Sequence, residues 1–311
     1  MRAVVIRGFG GPEELRLTDV PVPVPARGQV LIRVEAATVN PVDVATRSGA
    51  LAGAGLMPPR EVTGIGWDVA GVVERTGPGV TGLRAGDRVI GLSDRLDVPL
   101  GTQADQVVLD ADAVAAAPAG TSPVEAATLP LNGLTAVQAL DRLGLSPGGT
   151  LLVTGAAGAV GGYAVQLAAA RGLRVTAVAA PADETLVREL GAAEFVPRTA
   201  RLGEAVRALE PGGVDAALDA ASVGVAALDA VRSGGAFAAV VGGAAPPPLR
   251  GIRVFNHWIH ADGERLRDLA ALAEAGTLTL RVAGTLPLEQ VAEAHRRLEK
   301  GGLRGRLVLT P

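Results

Sequence analysis

The 311-residue sequence contains no cysteine. Disulfides, thiolate nucleophiles and zinc sites with sulfur ligands are thereby excluded. Histidine is scarce: His257, His260 and His295 are the full set, too few for a multi-histidine metal centre. Aromatic residues make up 2%, which removes the stacking platforms of single-strand nucleic-acid binders. There is one lysine, Lys300, and 29 basic residues stand against 32 acidic ones. The formal charge of -3 leaves no basic excess to draw the chain to nucleic acid or to an anionic membrane. The opening residues MRAVVIRGFG lack the apolar core of a secretion signal. The longest uncharged stretch, Leu143 to Ala170, is long enough to span a bilayer. It is broken by Ser146-Pro147-Gly148-Gly149 and by further glycines up to Gly162, so it reads as a buried strand, a turn and a buried helix. A soluble, cytoplasmic protein is expected.

What is present is apolar and glycine-rich: 48% hydrophobic residues and 42 glycines. Such a composition folds, and at ~100–200 residues per domain the length allows two domains. Over about the first 120 residues, short apolar runs alternate with turn signals. Ala3 to Arg7, Gly28 to Ala36, Gly64 to Thr76 and Gly86 to Gly91 read as strands of a compact β-rich unit. Leu51 to Pro59, rich in Gly, Ala and Pro, reads as a mobile loop near a cleft. The pattern changes at Ser122-Pro123-Val124-Glu125, a capping serine, a first-turn proline and an acid three residues after the cap. Strands are then expected at Thr150–Thr154, 174–179, 194–196, Val214–Asp219 and 236–241. Helical stretches fall between them at 160–171, 183–190 and 202–209. Strands apolar on both faces, alternating with helices, predict a parallel sheet under helical cover. The tail offers helices near 264–275 and 288–300 and strands at 280–283 and 306–310, and is expected to fold back onto the first domain.

The strand Thr150–Thr154 runs into Gly155-Ala156-Ala157-Gly158-Ala159-Val160-Gly161, a variant of the dinucleotide fingerprint. Gly158 lets the backbone approach a pyrophosphate, Gly161 lets the new helix pack closely on the strand, and the helix N-terminus offers N–H groups to the phosphates. Gly155, Gly158, Ala159, Val160 and Gly161 are therefore candidate cofactor residues. The tip of the next strand, Ala179-Ala180-Pro181, lacks the acid that holds the ribose of NAD, and Asp183 and Glu184 read as helix N-terminal residues. That leaves room for a 2′-phosphate, with Arg198 either its partner or an ordinary surface arginine. NADPH is the expected cofactor. Ala179 and Ala221 complete the expected contacts, and Gly242 and Gly243, at a strand's C-terminal end, either face the nicotinamide or make a simple turn.

In order and at suitable spacing, the chain carries Asn40-Pro41-Val42-Asp43, Gly66-Trp67-Asp68-Val69-Ala70-Gly71 and Gly86-Asp87-Arg88-Val89. Leu131-Asn132-Gly133-Leu134-Thr135-Ala136, the fingerprint, Leu190-Gly191-Ala192, Ala294-His295-Arg296 and Gly305-Arg306-Leu307-Val308-Leu309 follow. On these residues, nearly end to end, the sequence resembles the zinc-free quinone oxidoreductases of the medium-chain dehydrogenase/reductase superfamily, the zeta-crystallin-like group. The resemblance implies an α/β fold with a GroES-like β-rich catalytic domain and a Rossmann domain with a doubly wound parallel sheet. The expected boundaries are residues 1–122 with 253–311 for the former and 123–252 for the latter. It also implies NADPH as hydride donor, a quinone or enone as small-molecule acceptor, and a homodimer. Zinc-dependent relatives hold metal with Cys, His and Cys. Asn40 and Trp67 stand at the first two of those positions, so no metal is expected.

Asn40 is the expected oxyanion donor or cofactor contact, or else an amide that satisfies a turn. Asp43 holds Asn40 or a nearby arginine, or is structural. Thr135 contacts the nicotinamide or caps helix backbone. The tyrosine that many relatives carry after the Asn-Pro-x-Asp segment is missing from Arg47 to Ala52, and the one tyrosine, Tyr163, reads as core. No proton donor is assigned. Phe255 to His260 walls a pocket or serves core or interface, Trp67 is core or pocket lining, and His295, among Glu293, Arg296, Arg297 and Glu299, is expected on a solvated face. Two other functions stay open: an enoyl-thioester reductase of lipid or polyketide synthesis, and a non-catalytic NADPH-binding sensor.

Overall fold

A computed structural model describes residues 1–58 and 60–311. The chain forms two compact units: Met1–Leu131 with His260–Ala275 and Leu280–Pro311, and Asn132–Ile259 with Gly276–Thr279.

The first unit is organised by the strand Gln29–Val39. The strand Asp68–Thr76 pairs antiparallel along one edge. The other edge is shared: Gln106–Asp110 pairs with the first half, and Arg306–Thr310, from the end of the chain, with the second. Alternation explains the packing. Val30, Ile32 and Val34 fall on one face and are buried with Val69, Val73 and Val89. The expected return of the tail is thus seen as strand pairing. Its other strand lies at Val282–Pro287, later than the sequence suggested, because it pairs in parallel with Arg306–Thr310. The segment expected as a mobile loop begins in a single helical turn, Ala50–Gly53, and buries Met57; its last residue, Pro59, lies outside the described residues.

His295 corrects an expectation. The helix Val291–Lys300 packs Val291 and Ala294 into the core of the first unit, and His295, beside them on that face, is fully buried.

The second unit holds a parallel six-stranded sheet. Its strands are Thr150–Thr154, Arg174–Ala179, Glu194–Pro197, Val214–Asp219, Val231–Ala239 and Arg253–Asn256. Numbered in chain order they lie 3-2-1-4-5-6, the arrangement of a dinucleotide-binding fold. Leu151, Leu152 and Val153 are all fully buried, which is why these strands read apolar without alternation. The sixth strand pairs in parallel with the fifth, so Arg253–Asn256 belongs to this sheet, whereas the expected boundary assigned it to the tail domain. The uncharged stretch resolves into the strand Thr150–Thr154, a turn and the helix Ala159–Ala170. Among the described residues no helix is long and apolar enough to cross a membrane.

Candidate functional site

The glycines between Thr154 and the helix Ala159–Ala170 are required by space. Gly155 has φ +61° and lies against the loop after the fourth strand; a Cβ there would stand 3.1 Å from the carbonyl oxygen of Ala220. At Gly161 a Cβ would stand 2.2 Å from the Gly155 carbonyl oxygen, so only glycine lets the helix sit this close to the turn. Gly158 is the extended residue that opens the helix, and its N–H donates to the Gly155 carbonyl at 2.8 Å. The result is a tight turn of bare main chain ending at a helix N-terminus, a shape and polarity suited to a phosphate.

A residue not singled out from the sequence holds the neighbouring loop. Asp219, 1% exposed at the end of the fourth strand, receives the Thr154 hydroxyl at 2.5 Å and the N–H groups of Ala221, Val223 and Gly224 at 3.2, 3.1 and 2.8 Å. The Thr154 oxygen in turn accepts from the Ala220 N–H at 3.1 Å. One carboxylate thereby ties the first strand to the loop that carries Ala221 and sets that loop against Gly155. The available signal was an acid closing an apolar strand, with Ala220 to Gly224 as the turn after it.

The other candidates of this unit have definite places. Ala179 ends the second strand, and its carbonyl accepts from the Arg198 N–H at 2.8 Å, which sets Arg198, exposed, beside the strand tip. Asp183 is buried in the turn that follows. Thr135 is buried on the helix Pro130–Leu143. Gly242 and Gly243 follow the fifth strand; a Cβ on Gly242 would lie 3.1 Å from the indole of Trp258, which is half exposed just past the sixth strand. Thus Gly155, Gly158, Ala159, Val160, Gly161, Ala221, Gly242 and Gly243 all follow the C-terminal ends of parallel strands, and Ala179 closes one. Phe255 instead packs under the guanidinium of Arg142, 4.0 Å from its ring centroid.

Asn40 and Asp43 belong to the first unit, in a buried polar network. Both are 0% exposed. The side-chain amide of Asn40 donates to the Thr38 hydroxyl oxygen at 2.9 Å and to Asp68 at 3.2 Å. Thr38 donates both its hydroxyl, at 2.5 Å, and its N–H, at 3.1 Å, to Asp68. Asp43, in the first turn of the helix Pro41–Ser48, accepts from the Asn40 N–H at 2.7 Å. Oxygens remain over: Oδ1 of Asn40 and of Asp43, Oε1 of Gln103 and Oγ1 of Thr102 are buried without a partner among the described residues. Burial pushes the Asp43 carboxyl up to about 8, the Asn40 N–H opposing it and the Asp68 charge adding to it. Burial also raises Asp68, against the bonds from Thr38 and Asn40 and the charge of Arg306.

Beside this network lies a small pocket of about 30 Å³. Met57, Trp67, Leu96 and Leu100 give it an apolar side, and Arg60, Arg95, Ser93, Thr46 and Thr63 supply polar groups. Trp67 is thus both nearly buried and pocket lining. The Ser93 N–H donates to the Trp67 carbonyl at 2.6 Å, which ties the two lining residues together through their main chains. Neither Ser93 nor Arg60 was singled out from the sequence, since neither falls in a periodic or motif-bearing stretch.

Residues 26–119 match the family model described as an alcohol dehydrogenase GroES-like domain, and residues 190–309 match one described as a zinc-binding dehydrogenase. The chain is 32% identical to the chloroplastic NADPH-dependent alkenal/one oxidoreductase of Arabidopsis thaliana, over 100% of this chain and 80% of that protein. It is 31% identical to the quinone oxidoreductase of Homo sapiens, over 99% of this chain and 97% of that one. A solved structure described as an NAD-dependent alcohol dehydrogenase superposes with a TM-score of 0.88 at 32% identity, covering 100% of both chains. Zinc does not fit the residues present: cysteine is absent, and no group of three or more His, Asp or Glu among the described residues could hold an ion. A likeness at this level, extending through both units and nearly the whole length of the human protein, places the chain in the medium-chain dehydrogenase/reductase family, as an oxidoreductase of its quinone oxidoreductase branch.

Proposed function

We propose that this chain uses NADPH to reduce a quinone or an α,β-unsaturated carbonyl without zinc. The observation that carries the proposal is the glycine turn 155–161, opening the helix at the C-terminal end of the first of six parallel strands. A Cβ would fill that cradle, and a diphosphate suits it. The main chain of Gly158, Ala159, Val160 and Gly161 would hold the pyrophosphate, with Gly155 and Ala221 beside it. Arg198 would hold the 2′-phosphate at a strand tip whose residues, Ala179 and Ala180, offer no acid to a ribose. Thr135, Gly242 and Gly243 would border the nicotinamide. Bound in this way, NADPH supplies a hydride.

The acceptor would take the cavity beside Trp67, its body on the apolar wall and its carbonyl oxygen toward the Ser93 hydroxyl, where developing negative charge meets a donor. Asn40 and Asp43 brace this floor. For Asn40 to donate to an oxyanion, its amide would have to leave Thr38 or Asp68. A cytoplasmic homodimer is the expected setting; sedimentation would report the assembly.

The test is a titration with NADPH and NADH, followed by NADPH oxidation with quinones, enones and enoyl thioesters. Tighter NADPH binding and turnover of quinones or enones are expected. Arg198→Ala should weaken NADPH about tenfold, or about 1.4 kcal/mol, with little change for NADH. Equal or tighter NADH binding overturns the cofactor assignment. Cofactor binding without turnover of any acceptor overturns the enzyme reading.

A further inference from the structure

The cavity of the first unit is lopsided in charge. Two arginines line it, Arg60 and Arg95. Arg95 is neutralised: it pairs with Asp97 at 2.6 Å and reaches Asp110 at 3.5 Å. Asp97 is held below the usual carboxylate range, chiefly by its bond from Arg95, with Arg60 a smaller influence. Arg60 is half-buried, and its Nη1 donates to the Val98 carbonyl. That bond fixes the guanidinium without cancelling its charge, and no carboxylate among the described residues forms an ion pair with it. The nearest acid in sequence, Glu61, is exposed and faces Arg7 at 3.7 Å. Met57, Trp67, Leu96 and Leu100 give the pocket an apolar side, and Thr46, Thr63 and Ser93 line it as well. An anchored guanidinium outside any ion pair, at the edge of a pocket with an apolar side, is a receptor for an anion carried on an apolar body, since its planar fork matches a carboxylate bidentately.

We infer that the preferred acceptors are enones or quinones bearing a carboxylate, which Arg60 binds while the apolar body lies along Trp67. This rests on the reading of the chain as a reductase and narrows its acceptor class. A neutral acceptor gains the apolar contact but leaves Arg60 unpaired. An acidic one gains both, so charge separates two substrates of similar shape.

The experiment compares 3-benzoylacrylic acid with its ethyl ester, one aryl enone with and without the charge. Wild-type protein is expected to prefer the acid by about tenfold in kcat/KM, chiefly through KM, as for one charge-assisted contact of about 1.4 kcal/mol. Arg60→Gln should bring the ratio to about one, and Arg60→Lys should restore part of it. Raising salt should shrink the wild-type preference. Binding of the two compounds, followed through protein fluorescence, gives a readout that needs no turnover. A wild-type ratio near one, or a preference for the acid that survives in Arg60→Gln, overturns the inference while the reductase reading stands. Preferential binding of the acid that Arg60→Gln abolishes, without NADPH oxidation by either compound, upholds the pocket's choice of ligand and counts against the reductase reading instead.

Discussion

The two units bury carboxylates in opposite ways. In the second, Asp219 accepts a hydroxyl and three backbone N–H groups, so both its oxygens meet donors and a loop takes shape around it. In the first, Asp43 and Asp68 share a floor with Asn40, Thr38 and Arg306, and several oxygens there lack protein partners among the described residues. Where few donors face a buried acid, as at Asp43, burial dominates, and at Asp68 it does so even against the bonds from Thr38 and Asn40. Asp219 shapes a loop, whereas Asp43 carries a proton at neutral pH.

The largest way to break the comparison is on the side of the second unit. Gly161→Ala forces a Cβ to 2.2 Å from the Gly155 oxygen, so the turn must open. Cofactor affinity should fall about a hundredfold or more, roughly 3 kcal/mol, as titration with NADPH would show. Asp219→Ala comes next. It strands three loop N–H groups and the Thr154 hydroxyl; with roughly 1–3 kcal/mol for a buried group left unpaired, a loss of about 3 kcal/mol is expected in urea unfolding. Asp219→Asn, which keeps one acceptor oxygen, should recover part of it.

The first unit should answer to pH instead. Asp43 binds its proton more tightly folded, at about 8, than its ordinary 3.8. The folded state thus holds the extra proton between those values, and stability falls as pH rises through that window. Asp43→Asn should flatten that fall, read as Tm from pH 5 to 9. His295 has the opposite sign and the smaller expected effect. Burial, then the charge of Arg47, lowers it to about 3 from 6.5, so stability is lost as pH drops from 6.5 toward 3. His295→Leu should lessen that loss, at a packing cost measured at neutral pH.

Much of the second unit was legible because its signals are local. Thr150–Thr154, Leu202–Leu209 and Val214–Asp219 begin and end where runs and turns said they would. A local signal in the first unit also held: the cap at Ser122 closes as drawn, Ser122 Oγ accepting from the Glu125 N–H at 3.2 Å and Glu125 accepting from the Ser122 N–H at 2.9 Å. The sixth strand escaped because Arg253–Asn256 is four residues long and owes its conformation to a neighbour. His295 was misjudged from the charges adjacent in sequence. Helical spacing places it with Val291, Ala294 and Leu298, and that period was the better guide. In the first unit, Asn40 and Asp43 were findable by motif, but which atoms of Asn40 are occupied depends on Thr38 and Asp68 across a strand pair. The Arg60 cavity is assembled from segments dozens of residues apart, so no window of sequence contains it.

The shared edge of Gln29–Val39 has a consequence for how the protein is made. The part of that edge at Ala37 to Val39 waits for Arg306–Thr310, so synthesis must run through those residues before the sheet can close. The intervening αβ segment has all six of its strands in hand by residue 256 and can settle while synthesis continues. Until the last strand arrives, the nascent β-rich half presents the backbone of Ala37 to Val39 unpaired on that side, an invitation to chaperones or to strand-for-strand misassembly.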